Sequence, residues 1–266
     1  MDKLKFILIS SIGLLASLYT LYFAFIYFNQ ADMVFIHSSL DKDYKFEFQT
    51  PFQEKTIKSF DGKKQHGLLF SAKEPKGIIF YLHGNAGNVS NWGNISAFYN
   101  SLDYDIFILD YRSFGKSEGQ IDDEKQISKD VQIVFDKITQ NYSNKIIIGY
   151  SIGTGIASQL AVERNAKMLI LQAPYDNFLK FSGTRVPFFP DMFKKFKFET
   201  DKKIKHIKCL IYLFHGKDDK LISIDNSYRL EKFLKVSDTL YVLNNQDHIG
   251  INENYEFRVK LKNLLK

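Results

Sequence analysis

The sequence predicts an α/β protein: a mainly parallel central sheet with helices on both faces and a small cap, preceded by one membrane-spanning helix. Three observations predict it. Short apolar runs of strand length alternate with stretches of helical spacing from about residue 77 to the C-terminus. A segment rich in phenylalanine, lysine and proline interrupts that rhythm between two strand candidates. An uncharged apolar run opens the chain.

That opening run, Phe6 through Phe28, holds 23 residues without a charge, enough for a helix to cross a hydrocarbon core of about 30 Å. It exceeds the about 7–15 apolar residues of a secretory signal. Its end, Ala24-Phe25-Ile26-Tyr27-Phe28, offers no small-x-small cleavage site. Tyr19, Tyr22 and Tyr27 supply aromatics suited to a membrane interface. Lys3 and Lys5 precede the run, and Asn29, Gln30 and Asp32 follow it. The positive-inside tendency therefore sets the N-terminus in the cytoplasm. The expectation is a single-pass anchor over residues 1–30 and a domain over residues 31–266 on the extracytoplasmic side.

Bulk composition agrees with one globular domain. Hydrophobic types make up 45% and charged types 25% of 266 residues, the balance of neither a disordered nor a collagen-like chain. The formal net charge of +6 suits an anionic surface of either membrane or nucleic acid. No zinc-ligand cluster and no nucleic-acid motif accompanies it, so nucleic acid is not an expected partner. The single cysteine, Cys209, excludes an intramolecular disulfide. It sits in the run Cys209 to Phe214 and reads as a small core residue.

Along the domain, Glu54–Phe60 and His66–Ser71 alternate apolar and polar residues around Asp61-Gly62, a hairpin signal. Gly77–Leu82, Asp105–Leu109, Lys145–Ile148, Met168–Leu171, Leu210–Phe214 and Thr239–Leu243 are strand candidates. Their near-continuous apolar character is that of strands covered on both faces. Val89–Asn100, Asp123–Gln140, Ile152–Arg164, Ile224–Lys235 and Asn252–Leu265 have helical spacing. Such alternation means βαβ crossovers, with ligands bound outside the carboxyl ends of the strands.

The chemistry concentrates there. Lys145-Ile146-Ile147-Ile148 leads into Gly149-Tyr150-Ser151-Ile152-Gly153, after which small residues open a helix. A Gly-x-Ser-x-Gly elbow needs this arrangement, because a sharp strand-to-helix turn lifts the serine hydroxyl out of the sheet. The serine is a poor nucleophile until a base takes its proton, and a carboxylate must hold that base in the right tautomer. Behind such an elbow the acid and then the base follow along the chain. Of the six histidines only His206, His215 and His248 follow Ser151. His206 lies before a strand among lysines, and His215 precedes the acid candidates. His248, in a loop after the last strand, is the expected base. Asp218 and Asp219 are neighbouring candidates for the acid past the penultimate strand, and Asp176, after the strand before it, is the alternative. The oxyanion hole is expected from the backbone N–H of Ile152 and from one in Gly84-Asn85-Ala86-Gly87, with Asn85 preferred and Ala86 next. His83 reads as structural, and the glycosylation sequon Asn88-Val89-Ser90 as incidental.

Three elements together resemble the α/β-hydrolase superfamily, and within it the bud-emergence-like branch of membrane-anchored proteins related to serine-aminopeptidase-like hydrolases. They are His83-Gly84-Asn85-Ala86-Gly87-Asn88, the stretch from Asp110-Tyr111-Arg112-Ser113-Phe114-Gly115 through Gly119, and Gly149–Gly153. His-Gly-x-x-Asp is the spacing of related hydrolases, which favours Asp219 over Asp218. The resemblance implies a serine hydrolase acting on an ester, a thioester or an amide through an acyl-enzyme, on lipid-like or acylated substrates, with no cofactor and no metal. It also implies that Arg112 braces loops near the site. Ser113 stands where the branch has glycine, Ser223 replaces a proline after the acid loop, and Asp247 takes the place of a glycine before His248, where it could compete for the ring.

The inserted segment, residues 174–208, carries eight lysines and one arginine against four acidic residues, with phenylalanines between them. It reads as a cap. Its basic, aromatic surface suits contact with an anionic bilayer, or its phenylalanines cover the site and its lysines are solvated. Two other functions share the scaffold: a non-catalytic binding module, which the Ser–Asp–His set opposes, and an acyltransferase that excludes water from the second step. The sequence leaves the oligomeric state open.

Overall fold

The computed structural model describes residues 3–183 and 185–266; Met1 and Asp2 of the expected anchor and Thr184 of the expected cap lie outside the described residues. The strands are β1 (Phe52–Lys58), β2 (Lys64–Phe70), β3 (Gly77–Leu82), β4 (Tyr104–Leu109), β5 (Lys145–Tyr150), β6 (Met168–Gln172), β7 (Leu210–Gly216) and β8 (Thr239–Leu243). The α-helices among the described residues are α1 (Lys3–Val34), α2 (Val89–Trp92), α3 (Ser96–Asn100), α4 (Glu124–Thr139), α5 (Ile152–Glu163), α6 (Phe178–Gly183), α7 (Thr200–Lys203), α8 (Asp225–Glu231) and α9 (Tyr255–Leu264).

One sheet runs in the order β1-β2-β4-β3-β5-β6-β7-β8. The β1–β2 hairpin and the β2–β4 pair are antiparallel, and every later pair is parallel. Parallel neighbours need crossovers, and here helices supply them on both faces. The period of two then sorts each strand's side chains into two cores. Ile78, Phe80 and Leu82 of β3 join Phe107 and Phe135 on one face. Ile79 and Tyr81 join Tyr99, Phe214 and Phe257 on the other. Both faces being covered explains why these strands read as unbroken apolar runs. This is the α/β-hydrolase fold.

Boundaries differ from the sequence expectations where side chains, not periodicity, decide them. Val89–Asn100 is not one helix: a 3-10 turn at Gly93–Ile95 separates α2 from α3. A side chain at Gly93 would meet the Phe48 ring, so the backbone is pressed against that aromatic. α4 begins where Asp123 accepts a hydrogen bond from the backbone N–H of Gln126, an N-cap.

The N-terminal helix α1 is long and apolar enough to cross a membrane. It runs to Val34, past the boundary expected at residue 30, and its last turns pack on the domain, burying Ile26 and Gln30. The 174–208 segment crosses from β6 to β7 as α6, a 3-10 turn at Asp191–Phe193, α7 and a second 3-10 turn at Ile204–His206. Lys180, Lys202, Lys205 and Lys208 are exposed, whereas two of its lysines are drawn inward. Lys194 is buried and ion-paired with Asp191 at 2.7 Å. The Lys195 ammonium lies 4.8 Å from the centre of the Tyr27 ring of α1.

Candidate active site

Because β3, β5, β6, β7 and β8 are parallel, their carboxyl ends lie along one edge of the sheet, and each contributes a loop there. Ser151 follows β5 directly. Its backbone takes φ 53° and ψ −117°, a strained region for a residue with a side chain, costing about 1–3 kcal/mol. Surrounding contacts hold it: the Ser151 N–H donates to Gln172 O at 2.9 Å, and the Thr154 hydroxyl donates to Ser151 O at 2.6 Å. Gly153 is required, since a Cβ there would strike the carbonyl oxygens of Leu82 and His83. At Gly149 a Cβ would strike Gly153 and Ala157, so helix and strand approach too closely for any side chain.

His248 Nε2 lies 2.9 Å from Ser151 Oγ, and His248 Nδ1 lies 2.7 Å from Asp219 Oδ2. The carboxylate accepts at Nδ1, so that nitrogen carries the proton and Nε2 presents a lone pair to the serine hydroxyl. All three residues are buried. The other Asp219 oxygen accepts from the backbone N–H groups of Leu221 at 2.9 Å and Ile222 at 2.8 Å. Burial alone would raise the Asp219 pKa. Hydrogen bonds from His215, His248 and the Ile222 backbone outweigh it and hold the carboxyl well below the ordinary carboxylate range.

The rival acids stand elsewhere. Asp218 is exposed in the turn. Asp176 is engaged by the Arg229 guanidinium at 2.6 Å. Asp247 does not reach the imidazole; its carboxylate accepts the His248 backbone N–H at 2.6 Å. His206 lies in the 3-10 turn before β7, outside the site.

Asn85 and Ile152 both line the same cavity as Ser151. Among the described residues neither backbone N–H has a protein acceptor. The Asn85 side chain is fixed by accepting from Ile36 N at 2.9 Å and donating to Val34 O at 2.8 Å. Ala86 contributes its carbonyl to the Trp92 indole N–H at 3.0 Å. His83 is fully buried, its Nδ1 2.7 Å from Gly84 O, so it shapes the loop. Asn88 caps α2 and is buried, donating to Ser38 O at 3.1 Å, which leaves no room for a glycan.

Two features escaped the sequence reading. His215 Nε2 lies 3.2 Å from Asp219 Oδ2 and 2.8 Å from Ile222 O. Both neighbours are acceptors, so Nε2 donates, and the Ser227 hydroxyl donates to Nδ1 at 2.7 Å. His215 thus positions the Asp219 carboxylate; the His-Gly-x-x-Asp motif contains it, but chain order removes it only as a candidate base. Second, the cavity of about 570 Å3 beside Ser151 and His248 is walled partly by α1 through Ile26, Gln30 and Met33. A helix assigned to the bilayer carried no sequence sign of this. Arg112 braces elsewhere than expected: it pairs with Asp130 of α4 and with Asp61 of the β1–β2 turn. Among the described residues no three of His, Cys, Asp or Glu converge where a metal ion could sit.

Comparison with known proteins agrees with this architecture. The profile of the serine aminopeptidase, S33 family matches residues 73–180. Lysophosphatidylserine lipase ABHD12 of Macaca fascicularis is 32% identical over 189 residues, covering 62% of this chain and 47% of that protein. The Danio rerio protein of the same name is 28% identical over 176 residues, covering 58% and 45%. The chain therefore spans about half the length of the curated relatives it matches. Among solved structures, the Pyrococcus furiosus esterase Pf2001 superposes with a TM-score of 0.70 at 16% identity, covering 86% of this chain and 95% of that one. An esterase from Exiguobacterium antarcticum superposes with a TM-score of 0.63 at 17% identity, covering 80% and 99%. At such identities the likeness is one of fold.

Proposed function

We propose that this chain is a membrane-anchored serine hydrolase of the α/β-hydrolase superfamily that cleaves acyl esters of lipid-like substrates through an acyl-enzyme. The observation that carries this reading is the hydrogen-bonded chain Ser151–His248–Asp219 beside an apolar cavity. Lipid esters as the substrate class rest on that cavity and on the likeness to proteins named lysophosphatidylserine lipases.

In this reading Ser151 Oγ attacks the acyl carbonyl carbon while its proton passes to His248 Nε2. Asp219 holds the ring and stabilises the imidazolium that forms. The oxygen that becomes negative is bound by the free N–H groups of Ile152 and Asn85, each such donor contributing about 10²–10³ in rate. His248 then returns the proton to the departing alcohol as the C–O bond breaks. Water attacks the acyl-Ser151 ester, gives its proton to His248, and the acid leaves as Ser151 is reprotonated. α1 supplies the anchor, with residues 31–266 as the hydrolase domain, residues 174–208 as its cap, and the two lysines before α1 favouring an extracytoplasmic domain.

A fluorophosphonate probe, which labels activated serines, tests the chemistry on purified wild type and a Ser151→Ala variant. Labelling of the wild type alone is expected. A folded wild type that takes no label would remove Ser151 from its role.

A further inference from the structure

We infer that α1 is not only an anchor but one wall of the acyl channel, and that the acyl chain enters sideways from the bilayer between α1 and the cap. This rests on the acyl-enzyme chemistry proposed at Ser151.

The division of α1 carries the argument. Every residue from Lys3 to Leu21 is exposed, 19 residues in all. At 1.5 Å per residue they span about 28 Å, close to the roughly 30 Å of a hydrocarbon core. From Tyr22 onward the helix packs on the domain, and Ile26 and Gln30 are buried. The domain therefore sits on the bilayer surface without a linker. The cap meets α1 at that level. The Tyr19 hydroxyl donates to Phe188 O at 3.1 Å, and the Tyr22 hydroxyl to Pro187 O at 2.5 Å. The Phe23 ring packs on Phe189 and Phe193, with ring centres 5.1 and 5.0 Å apart.

Around this seam the cap turns apolar side chains outward: Phe188 is 88% exposed and Met192 77%. Such exposure is costly in water and favourable in an acyl layer. Directly inside the seam, Ile26 and Met33 of α1 and Phe181, Val186 and Phe189 of the cap line the cavity that reaches Ser151. Its volume of about 570 Å3 falls in the roughly 300–1,000 Å3 range of small-molecule sites. Gln30, the one amide on this stretch of wall, is not left to repel an acyl chain. Its Nε2 donates to Phe193 O at 3.0 Å, and its Oε1 accepts from Lys195 N at 2.8 Å, tying α1 to the cap.

The test uses the full chain in nanodiscs of stated composition, phosphatidylcholine with a tenth of phosphatidylglycerol. A long-chain alkyl fluorophosphonate with a diazirine at its terminal carbon is first fixed covalently on Ser151 and then irradiated. Cross-links in the α1 peptide spanning residues 26–33, or in the facing cap residues 186–189, are the expected result. Cross-links confined to Leu221 and Ile249, lining residues that belong to neither α1 nor the cap, would overturn the inference while leaving the chemistry intact. No attachment at Ser151 would instead sink the proposed chemistry, and the channel with it. A second measurement needs no probe. Ile26→Trp should lower the ratio of hexadecanoyl to butanoyl ester turnover by about tenfold or more, the scale at which an apolar pocket discriminates bulk. An unaltered ratio in a folded variant would refute α1 as a channel wall.

Discussion

Replacing Asp219 by asparagine preserves shape and removes one charge, and the local hydrogen bonds dictate how the amide must lie. Oδ1 accepts two backbone N–H groups, from Leu221 and Ile222, at 2.9 and 2.8 Å. Only the amide oxygen can take that place, so the amide NH2 must face His248 Nδ1 and His215 Nε2. A donor facing Nδ1 forces the imidazole into its other tautomer, with the proton on Nε2, where it points at Ser151 Oγ. The base is then occupied before the reaction starts. Loss of the correct tautomer in such a triad lowers kcat by about 10⁴, or roughly 5 kcal/mol of barrier. His215 Nε2–H, which donates to the same position at 3.2 Å, would then face the amide NH2 donor to donor, so the substitution also costs this contact. The assay is kcat on a butanoyl ester for wild type and Asp219→Asn, each first shown to unfold cooperatively well above the assay temperature. A fall of less than about tenfold would refute the assignment of Asp219 as the acid. Asp176→Asn serves as the control, since its carboxylate is committed to Arg229.

Acid should weaken the fold partly through the same group. The folded-state pKa of Asp219 is depressed, so its contribution is present above the unfolded value near 3.9 and is lost as pH falls through the lower folded value. Urea unfolding of wild type and Asp219→Asn should therefore show a stability difference at pH 6 that narrows toward pH 3; a difference independent of pH would contradict this. Gly153→Ala pushes a methyl group into the carbonyls of Leu82 and His83, and thermal denaturation should register a loss of about 1–3 kcal/mol or more, with an unchanged midpoint counting against the elbow geometry. Burial pushes the Cys209 thiol up to about 11, so about one molecule in a thousand is thiolate at pH 8. Iodoacetamide should modify the folded protein at least about tenfold more slowly than the urea-denatured chain, and equal rates would show Cys209 to be open to solvent.

What was legible in the sequence was what depends on neighbours along the chain. Gly77–Leu82 is legible because a buried parallel strand must be apolar throughout, and Thr239–Leu243, a half-buried edge strand, because Asp238 and Asn244 bound it. The elbow was legible for the same reason, as strand, turn and helix signals are consecutive. Ser113 is a more instructive case. It departs from a glycine expected by resemblance, yet its φ of 67° is in the left-handed region that glycine favours. The backbone kept the turn, and the serine tolerates it with its N–H donating to Gly119 O at 3.1 Å. Asp247 looked like a competitor for His248 because adjacency in sequence was mistaken for adjacency of side chains. Its carboxylate turns back onto the main chain instead, an Asx-type bond that short acidic side chains make readily.

What stayed hidden was tertiary, and it shares one physical origin. Gln30 and Asn85 are 55 positions apart, yet both fix the end of α1 with side-chain amides. Gln30 bonds to the cap backbone, and Asn85 to Val34 O and Ile36 N. An amide can donate and accept at once, so each residue satisfies two backbone groups that would otherwise be stranded where helix, cap and oxyanion loop meet. No periodicity announces such a residue, because its partners lie on other elements and its own element needs nothing from it. In the sequence Gln30 is only the second polar position after an apolar run, and Asn85 only a candidate donor through its backbone. Together they connect the end of α1 to the loop beside Ser151, so the N-terminal helix and the candidate site are built as one unit and not as a tether and a separate domain.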